Sequence, residues 1–302
     1  MLKWAPVGGK WNKPEDIKAS NQIALNLNFK EGNMPELPEV ETIKNDLTPM
    51  LEGARIDRID FLWHKTLRGM NAADFNREVS GLSITGLSRR GKYLVLDLDN
   101  GKSLLVHFKM SGSFKIALKN EEPPEHARAV IYFENGNRIF FIDPRKFGRF
   151  ELVEPAQGPL KELGIEPLSH TFTAKKLGEL LSGRITPIKI ALTNQLLIAG
   201  IGNMYADEAL YLARIKPTRS SNSLTKDETT ALHDAIRRVL RQAINSGGAT
   251  MVNYFRPGGS AGSAHFNFKV AHRKGNCFGC PGEVKRIVVR GRGTYYCPSC
   301  QK

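Results

Sequence analysis

Short, mostly apolar runs bounded by polar turn residues recur along much of the first half of the chain. The strand-like runs are Arg55–Phe61, Leu82–Ser88, Tyr93–Asp97, Ser103–Phe108, Ala129–Phe133 and Arg138–Ile142. Turn-forming triplets such as Asp99-Asn100-Gly101 separate consecutive runs. Short strands at this spacing predict an antiparallel β-sandwich or barrel.

The period becomes helical beyond about residue 158. The predicted helices are Leu160–Leu163, Ala174–Leu181, Ile188–Leu197, Met204–Ala213 and Lys226–Ser246. A short helical pattern at Glu39–Leu51 also precedes the strands. Thr225 is suited to cap the last helix, and Gly247 follows its end. The residues Gly200-Ile201-Gly202-Asn203 predict a tight turn between two helices.

These patterns divide the chain into five parts. We expect a leader at 1–33, a β domain at 34–158, a helical domain at 159–250, a loop at 251–270 and a metal-binding module at 271–302. The leader lacks a clear period, and residues 256–264 are too small and polar to pack, which predicts a flexible loop. The fold class is therefore α+β with several domains.

The net charge of the chain indicates that it binds a polyanion. The 302 residues include 44 Lys and Arg against 30 Asp and Glu, a net charge of +14. A solvated basic surface is the simpler interpretation, but neutralised phosphates release counterions and so favour binding to nucleic acid. An anionic membrane is the weaker alternative, because no apolar run approaches the roughly 18 residues of a span.

The four cysteines indicate a metal site. Cys277 and Cys280 form one Cys-x-x-Cys pair, and Cys297 and Cys300 form the second pair after sixteen intervening residues. Two such pairs offer Zn²⁺ a closed tetrahedral shell, so we expect one structural zinc ion. Two disulfides are the alternative. No signal peptide stands out in the leader, which favours a reducing, cytoplasmic compartment. Strand-like residues at Lys285–Arg290 and Thr294–Tyr296 predict a β-hairpin between the pairs.

Pro35 follows a methionine, and this makes its nitrogen a candidate nucleophile. Removal of Met34 would leave a secondary amine, which titrates well below lysine and is more nucleophilic at neutral pH. The simpler interpretation of this segment is an acidic helix start, with Glu36 and Glu39 near the positive end of the helix dipole.

The sequence resembles the formamidopyrimidine-DNA glycosylases from Pro35 to Lys302. Six segments carry the resemblance: Pro-Glu-Leu-Pro-Glu-Val-Glu-Thr at 35–42, Gly-Lys-Tyr-Leu at 91–94, His-Phe-Lys-Met-Ser-Gly at 107–112, Asp-Pro-Arg-Lys-Phe-Gly at 143–148, Gly-Ile-Gly-Asn-Met-Tyr-Ala-Asp-Glu at 200–208, and the cysteine module. They follow the family's order. The resemblance implies a β-sandwich with flanking helices, a helix–two-turn–helix domain and a C-terminal zinc-binding β-hairpin.

The resemblance also implies the catalytic roles. Pro35 would attack the anomeric carbon of the damaged nucleotide and form an iminium, and Glu36 would transfer protons. Lys92 matches a lysine that contacts the phosphate near the lesion, although an exposed strand lysine is the simpler interpretation. Arg292 matches the arginine at the tip of the zinc hairpin, and Glu39 would support the lesion pocket.

Further residues match the family's DNA contacts. A glycosylase must extrude its target base from the stack. Met110, Arg145 and Phe147 match the three residues that fill the resulting gap, although Met110 and Phe147 would otherwise be assigned to the core. Lys189 and Asn203 match residues that hold the DNA backbone, and the glycine turn before Asn203 would present N–H groups to phosphate. His107 matches a phosphate contact, with a buried and satisfied histidine as the alternative.

The chain departs from the family in three places. The leader would place the Pro35 nitrogen in a peptide bond, so we expect translation of the working enzyme to begin at Met34. A genuine extension, removed by a protease or kept in an inactive protein, is the alternative. Asn194 stands where many relatives have aspartate. The loop from Phe255 to Lys274 has Val270-Ala-His-Arg-Lys where relatives have tyrosine and glycine before the arginine.

The expected function is base-excision repair. The enzyme would remove oxidised purines, 8-oxoguanine and formamidopyrimidines, from duplex DNA and nick the strand by β- and δ-elimination. Its partner would be double-stranded DNA with oxidised purines or abasic sites, and it would act as a monomer in the cytoplasm, without membrane contact. Two alternatives stay open at this point: a sister glycosylase for oxidised pyrimidines, and a non-catalytic lesion-binding protein that retains the leader.

Overall fold

The computed structural model describes residues 34–118, 120–154, 157–251 and 254–302. The leader at 1–33 and the expectation that it is absent from the working enzyme lie outside the described residues. No helix among the described residues has both the length and the apolar character that a membrane crossing requires.

Two β-sheets and two flanking helices form the N-terminal part. The helices are α1 (Leu37–Leu51) and α2 (Ala72–Val79). The strands are β1 (Ile56–Asp60), β2 (Leu67–Arg68), β3 (Ile84–Arg90), β4 (Tyr93–Leu98), β5 (Ser103–His107), β6 (Ser113–Ile116), β7 (Ala127–Phe133), β8 (Arg138–Ile142) and β9 (Arg149–Val153). One sheet has the order β1-β7-β8-β6 and the other β2-β9-β5-β4-β3. All pairs are antiparallel except β2 with β9.

One hydrophobic core lies between the two sheets and α1. Alternate residues of β4 and β5, such as Leu94 and Val106, point into it together with Ile131 of the facing sheet. Aromatic rings pack edge to face inside it, with 5.0 Å between the ring centroids of Phe141 and Phe150. The predicted β-sandwich is confirmed.

Four elements of the sandwich, α2, β2, β6 and β9, are absent from the predicted helices and strands. Helix α2 begins at the N-cap Asn71, whose side chain accepts the backbone N–H of Asp74 at 2.9 Å. It is only eight residues long, so the helical period of its sequence repeats only about twice. Strands β6 and β9 directly follow the motif segments 107–112 and 143–148.

The second part is helical. It comprises α3 (Ala174–Ser182), α4 (Ile188–Leu192), α5 (Asn203–Leu212) and α6 (Lys226–Asn245). The predicted helix at Leu160–Leu163 is instead a 3₁₀ helix at Gly158–Glu162. The predicted helix Ile188–Leu197 is too long. It ends at Leu192, because the side chain of Asn194 accepts the N–H of Leu196 at 3.0 Å and forms a local turn instead.

The C-terminal module is a three-stranded sheet of β10 (Gly275–Asn276), β11 (Glu283–Val289) and β12 (Arg292–Tyr296). The predicted hairpin is confirmed. Arg290 and Gly291 form its two-residue turn with φ angles of 44° and 78°, the conformation that matches the twist of a hairpin. This turn places Arg292 at the start of β12, opposite Val289.

Candidate active site and nucleic-acid interface

The start of α1 lies where the sandwich meets the helical part. Pro35 is buried, and Glu36 is the N-cap of α1. The backbone N–H of Glu36 donates to Glu39 Oε2 at 2.9 Å, one half of a capping box. The N–H of Leu37 donates to the carbonyl of Gly200 at 3.1 Å. The candidate nucleophile is therefore fixed against the turn that precedes α5.

The side chain of Glu36 binds the N-terminus of α5. Its carboxylate accepts the N–H of Gly202 at 2.7 Å and the N–H of Met204 at 3.1 Å. Burial raises the pKa of Glu36, against the opposing effects of the Lys92 charge and the amide donors. The expectation that this turn offers its N–H groups to phosphate is wrong for Gly202 and Met204, because the carboxylate occupies them.

Glu36 and Lys92 converge on Gly202. A Cβ atom at Gly202 would lie 2.2 Å from Cδ of Glu36 and 2.5 Å from Nζ of Lys92. Lys92 is only 4% exposed, so the interpretation as an exposed strand lysine is wrong. Burial lowers the pKa of Lys92, and the negative charges of Glu36 and Glu39 oppose that shift.

The turn that carries Lys92 is held by the segment after the 3₁₀ helix. Glu166 accepts the N–H of Gly91 at 2.5 Å and pairs with Arg89 at 2.8 Å. Arg90 donates to the carbonyl of Gly164 at 2.6 Å. The position of Lys92 thus depends on contacts that join the sandwich to the helical part.

Both carboxylate oxygens of Glu39 are used inside the protein. Oε1 accepts the hydroxyl of Tyr205 at 2.5 Å and the N–H of Ala249 at 2.8 Å, while Oε2 accepts the N–H of Glu36. Burial raises the pKa of Glu39 to about 7. Glu39 therefore orients the start of α1 and the segment at Ala249, and the structure shows no direct access for a ligand to its oxygens.

Lys189 is completely buried. Its Nζ lies 2.6 Å from Asp207 Oδ1 and donates to the carbonyl of Gly293 at 2.9 Å. Asn203 Nδ2 donates to the same carbonyl at 2.8 Å, and Asp207 Oδ2 accepts the N–H of Tyr295. A direct phosphate contact by Lys189 is incompatible with this arrangement. Lys189 and Asn203 instead bind the β11–β12 hairpin to the helical part.

This docking places Arg292 near the centre of the site. Arg292 is exposed, and its positive charge contributes to lowering the pKa of both Lys92 and Lys189 after the larger effect of burial. The sequence-predicted residues Pro35, Glu36, Lys92 and Arg292 thus belong to one cluster of side chains.

The four cysteine sulfurs form a cluster suited to a metal ion. All four thiols are free, and their ligand atoms lie within 4.8 Å of one another. Sγ–Sγ distances of 3.1 Å and 3.4 Å join Cys300 to Cys280 and Cys277. A disulfide requires about 2.05 Å, whereas a tetrahedral ion with metal–sulfur bonds of about 2.3 Å separates sulfurs by about 3.8 Å. The donor set fits a four-coordinate metal.

Asp143 joins the two loops that carry the predicted wedge residues. Its Oδ2 accepts the N–H of Gly148 at 2.6 Å, and its Oδ1 accepts the hydroxyl of Ser111. Ser111 Oγ in turn accepts the N–H of Arg145 at 3.2 Å. The loop after β5 and the loop before β9 therefore hold one another in place.

The wedge side chains lie at the surface of these loops. Phe147 is 44% exposed, and the guanidinium carbon of Arg145 lies 5.4 Å from its ring centroid. Met110 is half-buried. The alternative that Met110 and Phe147 belong to the hydrophobic core is wrong, since neither packs in the cluster between the sheets.

His107 is partly buried at the end of β5. Its Nδ1 accepts the N–H of Lys109 at 2.9 Å, which leaves the ring proton on Nε2. Burial, followed by the charges of Lys109 and Lys92, lowers the pKa of His107 to about 3. The ring is neutral at physiological pH and can donate from Nε2.

The predicted flexible loop is packed against the sandwich. Arg256 Nε donates to Asp46 Oδ2 on α1 at 2.8 Å, and the carbonyl of Pro257 accepts the N–H of Ile116 on β6 at 2.9 Å. The N–H of Gly262 donates to Thr250 Oγ1 at 2.8 Å. The expectation that residues 256–264 do not pack is therefore wrong.

Sequence reasoning missed the buried and half-buried groups that position the predicted ones. They are Asp143, Glu166, Gln195, Tyr205, Asp207 and Glu208. Glu208 accepts the N–H groups of Val270 and Ala271, each at 2.8 Å. Consecutive acidic residues in the otherwise apolar helix α5 were the available signal, since buried carboxylates require partners.

Comparison with known proteins agrees with this geometry. Residues 34–150 match the family model described as the formamidopyrimidine-DNA glycosylase N-terminal domain, and residues 163–254 match the formamidopyrimidine-DNA glycosylase H2TH domain. A curated formamidopyrimidine-DNA glycosylase of Roseiflexus sp. is 41% identical over 273 residues, which cover 89% of this chain and 100% of the relative. One of Desulfitobacterium hafniense is 42% identical, with the same shares covered.

Solved structures show the same fold. The MutM (Fpg) protein of Thermus thermophilus has a TM-score of 0.81 and 37% identity, over 88% of this chain and 98% of that chain. An Fpg mutant of Lactococcus lactis, in complex with a Fapy-dG containing DNA, has a TM-score of 0.83 and 33% identity, over 89% of this chain and 100% of that chain. Another Lactococcus lactis Fpg structure contains abasic-site DNA, with a TM-score of 0.83, 33% identity, and 88% and 99% of the two chains covered.

Proposed function

The chain belongs to the formamidopyrimidine-DNA glycosylase family, and from this premise we propose that it removes oxidised purines from duplex DNA through Pro35. It is a base-excision repair glycosylase with AP lyase activity. The observation that carries the proposal is the placement of Glu36, Lys92 and Arg292 around the buried start of α1. The relative crystallised with Fapy-dG DNA supports oxidised purines as the substrate class.

The nucleophile in this proposal is the secondary amine of Pro35. Its lone pair attacks the anomeric carbon, the glycosidic bond breaks, and the base leaves with the bonding electrons and takes up a proton. The amine loses its proton, and the bond to the ring oxygen then breaks to give an iminium. Loss of a proton from the adjacent carbon expels the 3′ phosphate, and a second elimination expels the 5′ phosphate.

Glu36 is the proton donor and acceptor for these steps. Burial raises its pKa, so the protonated form, which can transfer a proton to the ring oxygen, is more populated near neutrality. The two amides of α5 hold the carboxylate in position when it is ionised.

Lys92 and Arg292 provide positive charge for the phosphate beside the lesion. Lys92 is held within the site, and Arg292 enters from the hairpin turn. The gap left by the extruded nucleotide is occupied by Met110, Arg145 and Phe147. His107 donates a hydrogen bond from Nε2 to a phosphate of the DNA backbone. Lys189 and Asn203 act indirectly, by binding the hairpin that carries Arg292.

We assign one structural Zn²⁺ to Cys277, Cys280, Cys297 and Cys300. The donor chemistry of four clustered thiolates fits this ion, and when bound it cross-links the two Cys-x-x-Cys turns. The carbonyl of Gly282 accepts the N–H of Cys277 at 2.8 Å, which shapes the first turn around its sulfur.

We further propose the domain bounds 34–158, 159–250, 251–270 and 271–302, with the enzyme acting as a monomer in the cytoplasm. The two family models and the two main hydrophobic clusters support the division. The N-terminal domain model begins at residue 34, which supports Pro35 as the first residue of the active form.

Borohydride trapping tests the nucleophile. Protein that begins at Pro35 should form a covalent adduct with an 8-oxoguanine duplex, because its iminium is reduced to a stable amine. The full 302-residue chain should form none, since its Pro35 nitrogen is part of a tertiary amide. Equal trapping by the full chain, with its N-terminus verified by mass, would show that Pro35 is not the nucleophile. If the native protein retains residues 1–33 and is not trapped, the alternative of a non-catalytic lesion-binding protein is the correct one.

A further inference from the structure

Two rows of paired residues cross the outer face of the five-stranded sheet beside the wedge loops. The first row is Tyr93, His107 and Arg149, and the second is Leu105, Glu151 and Arg68. These side chains point away from the core, because their neighbours in each strand, such as Val106 and Phe150, fill it.

The two rows form the floor of a cavity of about 530 Å³. Lys109 lies at its wall, together with the wedge residues Met110 and Phe147. Lys109 has a φ angle of 52°, an uncommon backbone conformation for a lysine. Met110 and Phe147 therefore border both this cavity and the proposed extrusion gap.

The cavity has an excess of positive charge. Arg68, Lys109 and Arg149 line it, and Glu151 is the only carboxylate among its described lining residues. Burial, followed by the charges of Arg149 and Arg68, lowers the pKa of Lys109; burial and Arg68 likewise lower that of Arg149. The single carboxylate of Glu151 offsets one of these three positive charges, so the lining keeps a net positive charge that favours an anion in the cavity.

We propose that this cavity binds a backbone phosphodiester of the duplex next to the extrusion gap, through Lys109, Arg149 and Arg68. The proposal rests on the proposed function, which places Met110 and Phe147 in the DNA stack. A wedge that enters a minor groove about 6 Å wide lies directly beside a strand backbone. A phosphate there neutralises the cations and receives donors from both Arg149 and Lys109.

The test uses the salt dependence of DNA binding. Arg149→Gln and Lys109→Gln are measured in the Pro35-initiated protein against a duplex with a tetrahydrofuran abasic analogue. Each variant should lower the slope of log affinity against log salt by about 0.9, the value for one phosphate contact. The affinity ratio of wild type to variant should then fall about 3.5-fold between 50 and 200 mM salt. Arg77→Gln, an equal charge change on the exposed surface of α2, is the matched control and should leave the slope unchanged.

A second measurement identifies the phosphate. Single methylphosphonate substitutions are scanned around the lesion, and at one position the wild type and Arg149→Gln should bind equally well. Lys109→Gln should melt at the same temperature as the wild type or higher, because it relieves repulsion. Excision of 8-oxoguanine is measured with the wild type alone, and its absence there would refute the proposed function and not this site.

Unchanged salt slopes in both variants would overturn the proposal. So would strict additivity, at every position scanned, between the effects of the variant and of the methylphosphonate on the free energy of DNA binding. Thermal stabilisation by inorganic phosphate that requires Arg149, together with an unchanged DNA salt slope, would assign the cavity to a free anion and would also overturn it.

Discussion

Replacing Gly202 by alanine tests whether the catalytic centre depends on the contact between Glu36 and α5. The new methyl group would lie 2.2 Å from Cδ and 2.4 Å from Oε1 of Glu36, and 2.5 Å from Nζ of Lys92. Both side chains are almost fully buried, at 3% and 4% exposure, so neither can move aside into solvent. The carboxylate must then leave the amides of Gly202 and Met204.

The expected effect on activity is much larger than the effect on stability. Overpacking costs about 1–3 kcal/mol, which lowers the melting temperature by a few degrees. Displacing a general acid and base costs about 10²–10⁴-fold in rate. We therefore expect single-turnover excision of 8-oxoguanine to fall by about 10²–10⁴-fold at saturating enzyme, while affinity for undamaged duplex changes little.

The control is Gly183→Ala, because a Cβ at Gly183 meets nothing within 4 Å and its φ of −89° suits any residue. This variant should excise at the wild-type rate. The reasoning would be refuted by a folded Gly202→Ala protein that excises as fast as the control, since Glu36 would then work from a different position.

Three further predictions concern the metal, the buried ion pair and pH. Cys297→Ala should lose the zinc in elemental analysis and most DNA affinity while the sandwich stays folded, and freshly purified wild type without zinc would contradict the assignment. Lys189→Met should lower the free energy of unfolding by about 3–5 kcal/mol, because Asp207 loses its partner; an unchanged free energy of unfolding in urea would contradict the buried pair. Since the pKa of His107 is about 3 in the folded state, the unfolded chain binds one more proton between about pH 3 and 6.5, and stability falls as pH drops through that range. His107→Gln should lose less stability than the wild type between pH 7 and 5 in urea unfolding, and equal losses would contradict the neutral, buried ring.

The sequence predicted elements wherever a period repeats over enough residues. Strands β3, β4 and β5 lie in mostly apolar runs bounded by turn signals, and α6 has both a cap and an end signal. Helix α4 was predicted too long because the apolar period continues to Leu197, whereas a single hydrogen bond from the amide of Leu196 to Asn194 ends it. Local pattern cannot reveal such a competition between side chain and backbone.

The clustering of the four cysteines was predictable, because their spacing and their chemistry both indicate a metal site; the role of Pro35 stays a prediction. The burial of Lys189 could not be predicted from the sequence, because lysine is ordinarily exposed. Its burial depends on Asp207 and on a carbonyl 104 residues away in sequence. The tertiary structure alone brings these groups together.

The hydrogen bond between Glu36 and Gly202 also sets an order of events during protein synthesis. The two residues are separated by 166 positions. At 5–20 residues per second, a ribosome needs about 8–33 s to add that length of chain. Pro35 and Glu36 are therefore synthesised well before the amides that hold the Glu36 carboxylate, and a nascent or truncated chain lacks a positioned carboxylate. Under the proposed function, we expect such chains to cut DNA far more slowly than the finished protein.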